Sequence, residues 1–429
     1  MRAKLNLLST LLLGTLGGVL AGCQTYDFEP VDPLAISQKT ETRRIEARES
    51  KPNMMLLVDT SGSMTDPVDP ERTNSGGVKV CKRAGVTCGQ AFACDTAVCP
   101  TRWTELQDAM KSFLASSGEI ARIGLATYPN LKGGDTCGAS TAITVPLPAE
   151  DKDDAATLKG NAELVSNQLL AIRNSKASDD TTTQIPEGGT PTGLSLQYLG
   201  TRAELQGTAR SDFVLLLTDG LPNCNATFPK PSPDPACFCT LSTCASGSGG
   251  ERIGCLDTDA SVAAVQALRN RQIQTIVIGF GTDFTTSTPA GIRGAATLNG
   301  MAEAGGFARK CSTNAECGTG DTCDTARGLC TRRFYQASNR AELVEALRQI
   351  SEIVKVDEPC TLTFAAADKP SSQDLVVVFI NDVRLEPGPD TWVLTAAKNI
   401  EFQGATCERI KNSTTASPVE IEVRAVQTR

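Results

Sequence analysis

The chain contains no histidine, and only 4% of its 429 residues are aromatic. Without an imidazole it cannot form a Ser-His-Asp or Cys-His nucleophile pair, a histidine-ligated zinc site or a histidine pH switch. Acid or base chemistry would have to come from Asp, Glu, Lys, Tyr or Cys side chains. The absence of histidine therefore excludes most familiar hydrolase mechanisms.

A surplus of basic charge is also missing, since 41 Lys and Arg face 49 Asp and Glu, giving a formal net charge of −8. Proteins that bind nucleic acid usually carry a positive surplus on the binding surface. We therefore expect no nucleic-acid partner. Hydrophobic residues make up 40% of the chain, which is enough for globular cores.

Residues 1–22 have the composition of a signal peptide, with basic Arg2 and Lys4 ahead of an apolar stretch that ends in small residues. The letters LAGC at 20–23 resemble a bacterial lipobox, and this resemblance implies that Cys23 is lipidated and begins the mature chain. Two alternatives are a cleaved peptide that leaves Cys23 free and a transmembrane anchor, against which the short apolar run argues. Residues 23–51 are polar and predict a tether. We expect an exported protein, lipid-anchored to a bacterial membrane, with the outer membrane or cell surface as its place.

Setting Cys23 aside, 16 of the 17 cysteines remain. Thiols of exported proteins oxidise, so disulfides are the expected state. Zinc is the rival interpretation, but Cys-x2-Cys pairs and histidine ligands are both absent from the sequence. We therefore expect these cysteines to be bridged.

Oxygen-rich turns follow two apolar runs. Residues 54–58 and 213–217 are continuously apolar, which predicts strands buried on both faces. Carboxylates and hydroxyls follow each run at once, and a third such turn lies at 188–193. The candidate metal-ligating residues are Asp59, Ser61, Ser63, Thr190 and Asp219. Such oxygens suit a hard divalent cation, and two carboxylates leave room for water and an external ligand, as Mg²⁺ prefers.

The order D-x-S-x-S, then T, then D-G resembles the metal-ion-dependent adhesion site (MIDAS) of the von Willebrand factor type A (VWA) domain. The resemblance implies that Ser61 and Ser63 bind the ion directly, Thr190 directly or through water, and Asp59 and Asp219 largely through water. It also implies an open position on the ion for an acidic side chain of a protein partner. The expected ion is Mg²⁺, with Mn²⁺ or Ca²⁺ as alternatives. Thr190 also suits a helix N-cap, a role compatible with coordination.

Over residues 52–356, apolar runs typical of strands alternate with apolar residues at helical spacing. This alternation predicts an α/β fold with a doubly wound, mostly parallel sheet. The resemblance implies the VWA version of this Rossmann-like fold. The expected strands are 54–58, 120–128, 143–147, 213–217, 273–280 and 334–337, and the expected helices are 103–114, 155–172, 191–205, 262–268, 298–304 and 343–354. Cysteine-rich insertions interrupt the domain at 65–101, 224–256 and 311–330.

Parallel strands place their carboxyl ends at one edge of a sheet, so the position of each insertion predicts which cysteines meet. Ten follow strands and should surround the metal site: Cys81, Cys88, Cys94, Cys99, Cys137, Cys224, Cys237, Cys239, Cys244 and Cys255. Four follow a helix and should lie at the opposite edge: Cys311, Cys317, Cys323 and Cys330. We expect bridges to stay within each group. The loops around the site would form a rim that reads a ligand, or they are only stapled surface.

After residue 356 the pattern changes to short strands separated by turn signals, which predicts a small β-rich domain over 357–429. Cys360 and Cys407 are its only cysteines and are candidates for a disulfide that offsets a small core.

These patterns predict a cell-envelope lipoprotein whose VWA domain binds a protein ligand through a divalent metal ion, in adhesion or assembly. One alternative is an envelope scaffold in which the ion only stabilises the fold. Another is a hydrolase, for which Asp66, Asp69 and Glu71 are the nearest carboxylates, while Ser195 lacks the final glycine of a nucleophile elbow. We expect no enzymatic activity.

Overall fold

A computed structural model describes residues 45–47, 51–131, 136–149, 152, 154–206, 210–224, 237–240, 253–281, 284, 288–318, 320–355, 360–362, 369–396, 398–411 and 419–425. The expected signal segment 1–22, Cys23, most of the expected tether and Cys244 lie outside the described residues. Within the described part of the chain, no helix has the length and apolar character needed to cross a membrane.

The described residues form strands and α-helices, each numbered in chain order. The strands are β1 (Ile45–Ala47), β2 (Asn53–Asp59), β3 (Lys82–Arg83), β4 (Val86–Thr87), β5 (Arg122–Tyr128), β6 (Asp212–Thr218), β7 (Ile273–Phe280), β8 (Cys323–Asp324), β9 (Leu329–Cys330), β10 (Tyr335–Ala337), β11 (Thr361–Leu362), β12 (Val376–Ile380), β13 (Val383–Leu385), β14 (Trp392–Leu394), β15 (Ile400–Phe402) and β16 (Val419–Ala425). The helices are α1 (Arg102–Ser117), α2 (Ala155–Ala171), α3 (Thr192–Leu199), α4 (Thr258–Arg269), α5 (Pro289–Gly305), α6 (Arg340–Lys355) and α7 (Gly404–Lys411).

A five-stranded parallel sheet in the order β10-β7-β6-β2-β5 forms the centre of the fold. Helices cover both faces, so alternate residues of β2 enter different cores. Met54, Leu56 and Val58 pack on the side of α1, α2 and α6, whereas Met55 and Leu57 pack on the side of α3, α4 and α5. Burial on both faces is the reason that the central strands are continuously apolar. The predicted α/β fold class, a doubly wound parallel sheet with disulfide-rich insertions and C-terminal antiparallel strands, is confirmed.

Three expected elements of this sheet domain differ in the structure. The helix expected at 191–205 is the shorter α3, which ends at Leu199 and is followed by a separate 3-10 turn over Ala203–Leu205. Segment 143–147 is no strand of the sheet and makes only an isolated antiparallel bridge between Val145 and Leu125. Pro146 and Pro148 lack the backbone N–H that a longer ladder needs. The helix expected at 298–304 is α5, which begins at Pro289, where the Thr288 hydroxyl caps it by accepting the Gly291 N–H at 3.2 Å.

The C-terminal residues together with β1 form two antiparallel sheets, β11-β15-β14 and β1-β16-β12-β13. The C-terminal residues have a separate core that includes Trp392 and Ile421. A disulfide joins Cys360 and Cys407. The tether expectation is wrong at Ile45–Ala47, because β1 pairs with β16. Helix α7 lies in a region for which the sequence indicated only short strands and turns.

The described disulfides of the sheet domain form two groups, one beside the expected metal site and one in the third insertion. Beside the strand ends that lead to the expected metal site, Cys81 bonds Cys99, Cys88 bonds Cys94, Cys137 bonds Cys224 and Cys237 bonds Cys255. In the third insertion, Cys311 bonds Cys323 and Cys317 bonds Cys330. Cys239 is also disulfide-bonded. Each described bridge stays within its predicted group, and Cys137 pairs near the site as the topology requires.

Candidate metal centre

The five candidate ligands lie together at the carboxyl edge of the parallel sheet. Strand β2 ends at Asp59, and a short 3-10 turn over Gly62–Thr65 follows it. Strand β6, which pairs directly with β2, ends one residue before Asp219. Thr190 precedes α3. Adjacent parallel strands therefore deliver the two acidic residues to neighbouring positions.

Three of the site's oxygen atoms form a close chain. The hydroxyls of Ser61 and Ser63 are 3.1 Å apart, and the Ser63 hydroxyl donates a hydrogen bond to Asp219 Oδ1 at 3.0 Å. Neighbouring oxygens of an octahedral shell with Mg–O distances of about 2.1 Å lie about 3.0 Å apart. The spacing of these oxygens therefore fits a small divalent cation.

Asp59 is completely buried, and both of its carboxylate oxygens accept hydrogen bonds. The Ser61 N–H donates to Oδ1 at 2.8 Å, and the Thr218 hydroxyl donates to Oδ2 at 2.7 Å. Burial, and secondly the negative charge of Asp219, raises the pKa of Asp59 to about 7. A cation at this site would favour the charged carboxylate, because it would offset both effects.

Thr190 is held in place from the loop that follows β6. Its N–H donates to Asn223 Oδ1 at 2.7 Å, and the Asn223 N–H donates to the Thr190 carbonyl at 2.9 Å. A methyl group added at Gly220 would lie 3.4 Å from Thr190 Oγ1 and 3.5 Å from Ser63 Oγ, so these two hydroxyls border the same space. The next residue after Asn223 is Cys224, whose disulfide to Cys137 ties this loop to the segment after β5.

Arg102, the first residue of α1, belongs to the site although the sequence patterns did not indicate it. Its Nη1 lies 2.8 Å from Asp219 Oδ2, and this ion pair is buried, with side-chain exposures of 9% for Arg102 and 0% for Asp219. One carboxylate oxygen of Asp219 thus meets a guanidinium while the other accepts from Ser63. The only sequence signal is a charged residue at the start of an apolar helix stripe, and it does not identify the partner.

The side chains that the sequence offered for a hydrolase lie in different surroundings from one another. Asp66 is half-buried near Arg102 and Asp219, and burial is the main cause that raises its pKa. Glu71 is exposed and forms ion pairs with Lys79 and Lys82. The Ser195 hydroxyl is buried and accepts the Ser140 N–H at 3.0 Å.

The donor chemistry of the site fits a hard cation, since hydroxyl and carboxylate oxygens are ligands of Mg²⁺, Mn²⁺ and Ca²⁺. Two groups of cysteine sulfurs among the described residues also lie close together, in the first and third insertions. Their atoms are bonded in disulfides, so they do not offer thiolates to a soft metal.

No protein-family model matches the sequence, and no curated protein matches it. Among solved structures, the chain is similar to the pilus adhesin SpaC from Lactobacillus rhamnosus GG, with 14% identity, a TM-score of 0.37 and coverage of 87% of this chain and 40% of the adhesin. It is similar to the PilB minor pilin from Streptococcus sanguinis, with 14% identity, a TM-score of 0.37 and coverage of 71% and 62%.

A manganese-loaded TRAP protein from Plasmodium vivax is similar at 14% identity and a TM-score of 0.25, over 54% of this chain and 57% of that protein. The chain thus spans about 40% of the length of the adhesin and 62% of that of the pilin. These TM-scores are too low to support a statement about the function of this chain.

Proposed function

We propose that this protein is a cell-envelope lipoprotein that displays a VWA domain and binds a protein ligand through a divalent metal ion, in adhesion or assembly. The observation that carries the proposal is the convergence of the three hydroxyls and two carboxylates at the carboxyl edge of the sheet. The Ser61–Ser63 and Ser63–Asp219 spacings of 3.1 and 3.0 Å support coordination by a small ion.

Ser61, Ser63 and Thr190 would hold the ion through their hydroxyls, with Asp59 and Asp219 supplying the compensating negative charge. The bound ion would supply Lewis-acid attraction for a carboxylate of the ligand. The chain's own residues orient this set: Thr218 and the Ser61 N–H fix Asp59, and Asn223 fixes the Thr190 backbone. We propose binding rather than catalysis, with Mg²⁺ as the ion and Mn²⁺ or Ca²⁺ as alternatives.

The first test measures the ion itself. Isothermal titration of the purified, oxidised protein with Mg²⁺ should give a one-site isotherm that is lost in Asp219→Asn. Asp212→Asn is the matched control, because Asp212 is a buried carboxylate at the other end of the same strand, where it accepts from Asn53 Nδ2 at 2.8 Å. Absence of Mg²⁺, Mn²⁺ and Ca²⁺ binding by the wild-type protein would refute the proposal.

The anchor is tested separately. A Cys23→Ser variant should move from the membrane fraction to the soluble fraction, and mass spectrometry of the wild-type mature N-terminus should show a diacylglyceryl-modified cysteine. An unmodified Cys23 on a membrane-bound protein would contradict lipid anchoring while leaving the metal proposal intact.

The envelope-scaffold alternative predicts that an ion stabilises the fold but has no part in partner capture. Capture from native envelope should therefore be compared with and without chelator, using Asp219→Asn and Asp212→Asn protein in parallel. The adhesion proposal is favoured if capture is lost with chelator and in Asp219→Asn but is kept in Asp212→Asn. Capture that survives both the chelator and Asp219→Asn favours a scaffold.

A further inference from the structure

A cleft of about 760 Å³ opens directly beside the candidate metal centre. Its floor includes Gly62, which lies between Ser61 and Ser63, and Gly188 and Gly189, which precede Thr190. The Gly62 N–H donates to the Gly188 carbonyl at 3.1 Å, so the two loops that carry the hydroxyls also close the bottom of the cleft. The cleft and the candidate metal centre therefore share these two loops.

One wall is the small loop closed by the Cys88–Cys94 disulfide, which contributes Phe92 and Ala93. Inside this loop the Gly89 N–H donates to the Phe92 carbonyl at 2.7 Å. The guanidinium of Arg83 lies 4.7 Å from the centre of the Phe92 ring and supports it by a cation–π contact. The wall is thus covalently closed and braced before any ligand arrives, which lowers the entropic cost of binding.

The opposite wall is the segment before Thr190, with half-buried Ile185 and buried Pro186. The Glu187 N–H donates to the Thr60 carbonyl at 3.0 Å, which fixes this wall to the residue that follows β2. Both walls contribute apolar groups to the cleft, whose lining also includes the polar side chains of Thr65, Gln90 and Asn174. At its border the exposed side chains of Lys176 and Glu187 carry opposite charges. The cleft as a whole therefore favours neither a positive nor a negative ligand group.

We propose that this cleft, which no part of the metal site uses, is a specificity pocket for an apolar side chain of the ligand, one or two residues away from the acidic residue that meets the ion. The ligand class is thus a protein segment in which an Asp or Glu is flanked by a large aliphatic or aromatic residue. Gly62 and Gly188 lie within two residues of the hydroxyl-bearing Ser63 and Thr190 along the chain. A ligand residue one or two positions from the acidic residue, about 4–7 Å away in an extended segment, would therefore meet this cleft. This inference rests on the proposed metal-dependent function.

The test uses labelled synthetic peptides of the form Gly-X-X-Asp-X-X-Gly with blocked ends, where every X is Leu, Phe, Gly or Lys, and the same series with Asn in place of Asp. Binding to the full-length, oxidised protein is measured by fluorescence anisotropy in Mg²⁺ and again in chelator. Filling the pocket with a Leu or Phe side chain should tighten Mg²⁺-dependent binding by about 10- to 100-fold relative to Gly.

Two substitutions in the same disulfide loop give a matched pair. Ala93 lines the cleft and Ala91 does not, and both are exposed, so neither change should disturb folding. Ala93→Trp should abolish the preference for Leu and Phe, while Mg²⁺ titration and weak binding of the Gly peptide remain as in the wild type. Ala91→Trp should keep the preference.

The possible results separate the two claims. Equal Mg²⁺-dependent binding of all Asp peptides, or a Leu and Phe preference that Ala93→Trp leaves intact, overturns the pocket and leaves the metal function standing. Failure of every Asp peptide to bind in Mg²⁺ overturns the ligand-binding function and the pocket with it. A preference for Lys over Leu overturns the apolar assignment.

Discussion

Replacing Arg102 by Met should weaken the fold in the absence of metal and tighten Mg²⁺ binding. Arg102 is the buried cation beside Asp219, at 2.8 Å, and the substitution keeps an apolar chain of similar length. Leaving one member of a buried ion pair without its partner typically costs about 3–5 kcal/mol. For a domain of about 300 residues, a loss of ~3 kcal/mol lowers the melting temperature by roughly 5 °C.

The effect on the ion has the opposite sign. Even at the dielectric constant of water, a guanidinium about 6 Å from a divalent ion opposes it by ~1–2 kcal/mol, and at an effective value near 20 the repulsion is larger. Asp219 retains the hydrogen bond from Ser63 when Arg102 is removed, which preserves one fixed oxygen. We expect Mg²⁺ to bind about tenfold more tightly, equivalent to about 1.4 kcal/mol.

Calorimetric titration and thermal unfolding with and without Mg²⁺ measure both effects. Arg122→Met is the control, because Arg122 is also buried but is the first residue of β5, at the other edge of the sheet. Its Nε donates to Asn53 Oδ1 at 2.8 Å. This control should lower the melting temperature without changing Mg²⁺ affinity. Weaker Mg²⁺ binding by Arg102→Met would show that the guanidinium mainly positions Asp219 for the ion and would refute the charge argument.

Three further predictions concern the surroundings of the ion. Because the pKa of Asp59 is raised to about 7, the metal-free fold should lose stability as pH rises from about 4 through 7, and Mg²⁺ should bind less tightly below pH 7 with proton release, measured by calorimetry in two buffers of different ionisation enthalpy. Thr218→Val removes the donor to Asp59 Oδ2 and should cost about 1–3 kcal/mol in urea unfolding, while a change below about 0.5 kcal/mol would contradict that role. Replacing Cys137 and Cys224 together by Ser should cost roughly 2–5 kcal/mol in the same assay and weaken Mg²⁺ binding, whereas unchanged affinity would show that Asn223 holds Thr190 without the bridge.

The sequence was sufficient to predict those features that depend on local pattern. A continuous apolar run such as 54–58 indicates a strand buried on both faces, and the residues after it must lie at the carboxyl edge. The same rule predicts that Cys137 meets a cysteine of the group around the site, which the Cys137–Cys224 bridge confirms. The structure brings the five oxygen-bearing residues together, and their binding of a metal ion stays a prediction.

Features that depend on contacts between distant segments could not be predicted in this way. The Arg102–Asp219 pair joins residues 117 positions apart, and no periodicity connects them. The first half of α5 contains Gly291 and Gly294, which have low helix propensity, so the sequence predicts a shorter helix than the structure shows. Close packing of Gly294 against Leu221 and Phe284 favours a small residue there. Strand β1 lies in a segment that is polar overall and has no strand pattern in the sequence, and its pairing with β16 makes it regular.

The Cys137–Cys224 bridge also bears on when the candidate centre becomes complete. A newly made chain with reduced thiols has no covalent link between the segment after β5 and the segment that carries Asn223, the residue that holds the Thr190 backbone. Oxidation of this one pair encloses 87 positions of sequence and joins the two segments. If the candidate centre binds an ion, we expect the centre to be completed only in an oxidising compartment, and a reduced chain should bind the ion more weakly.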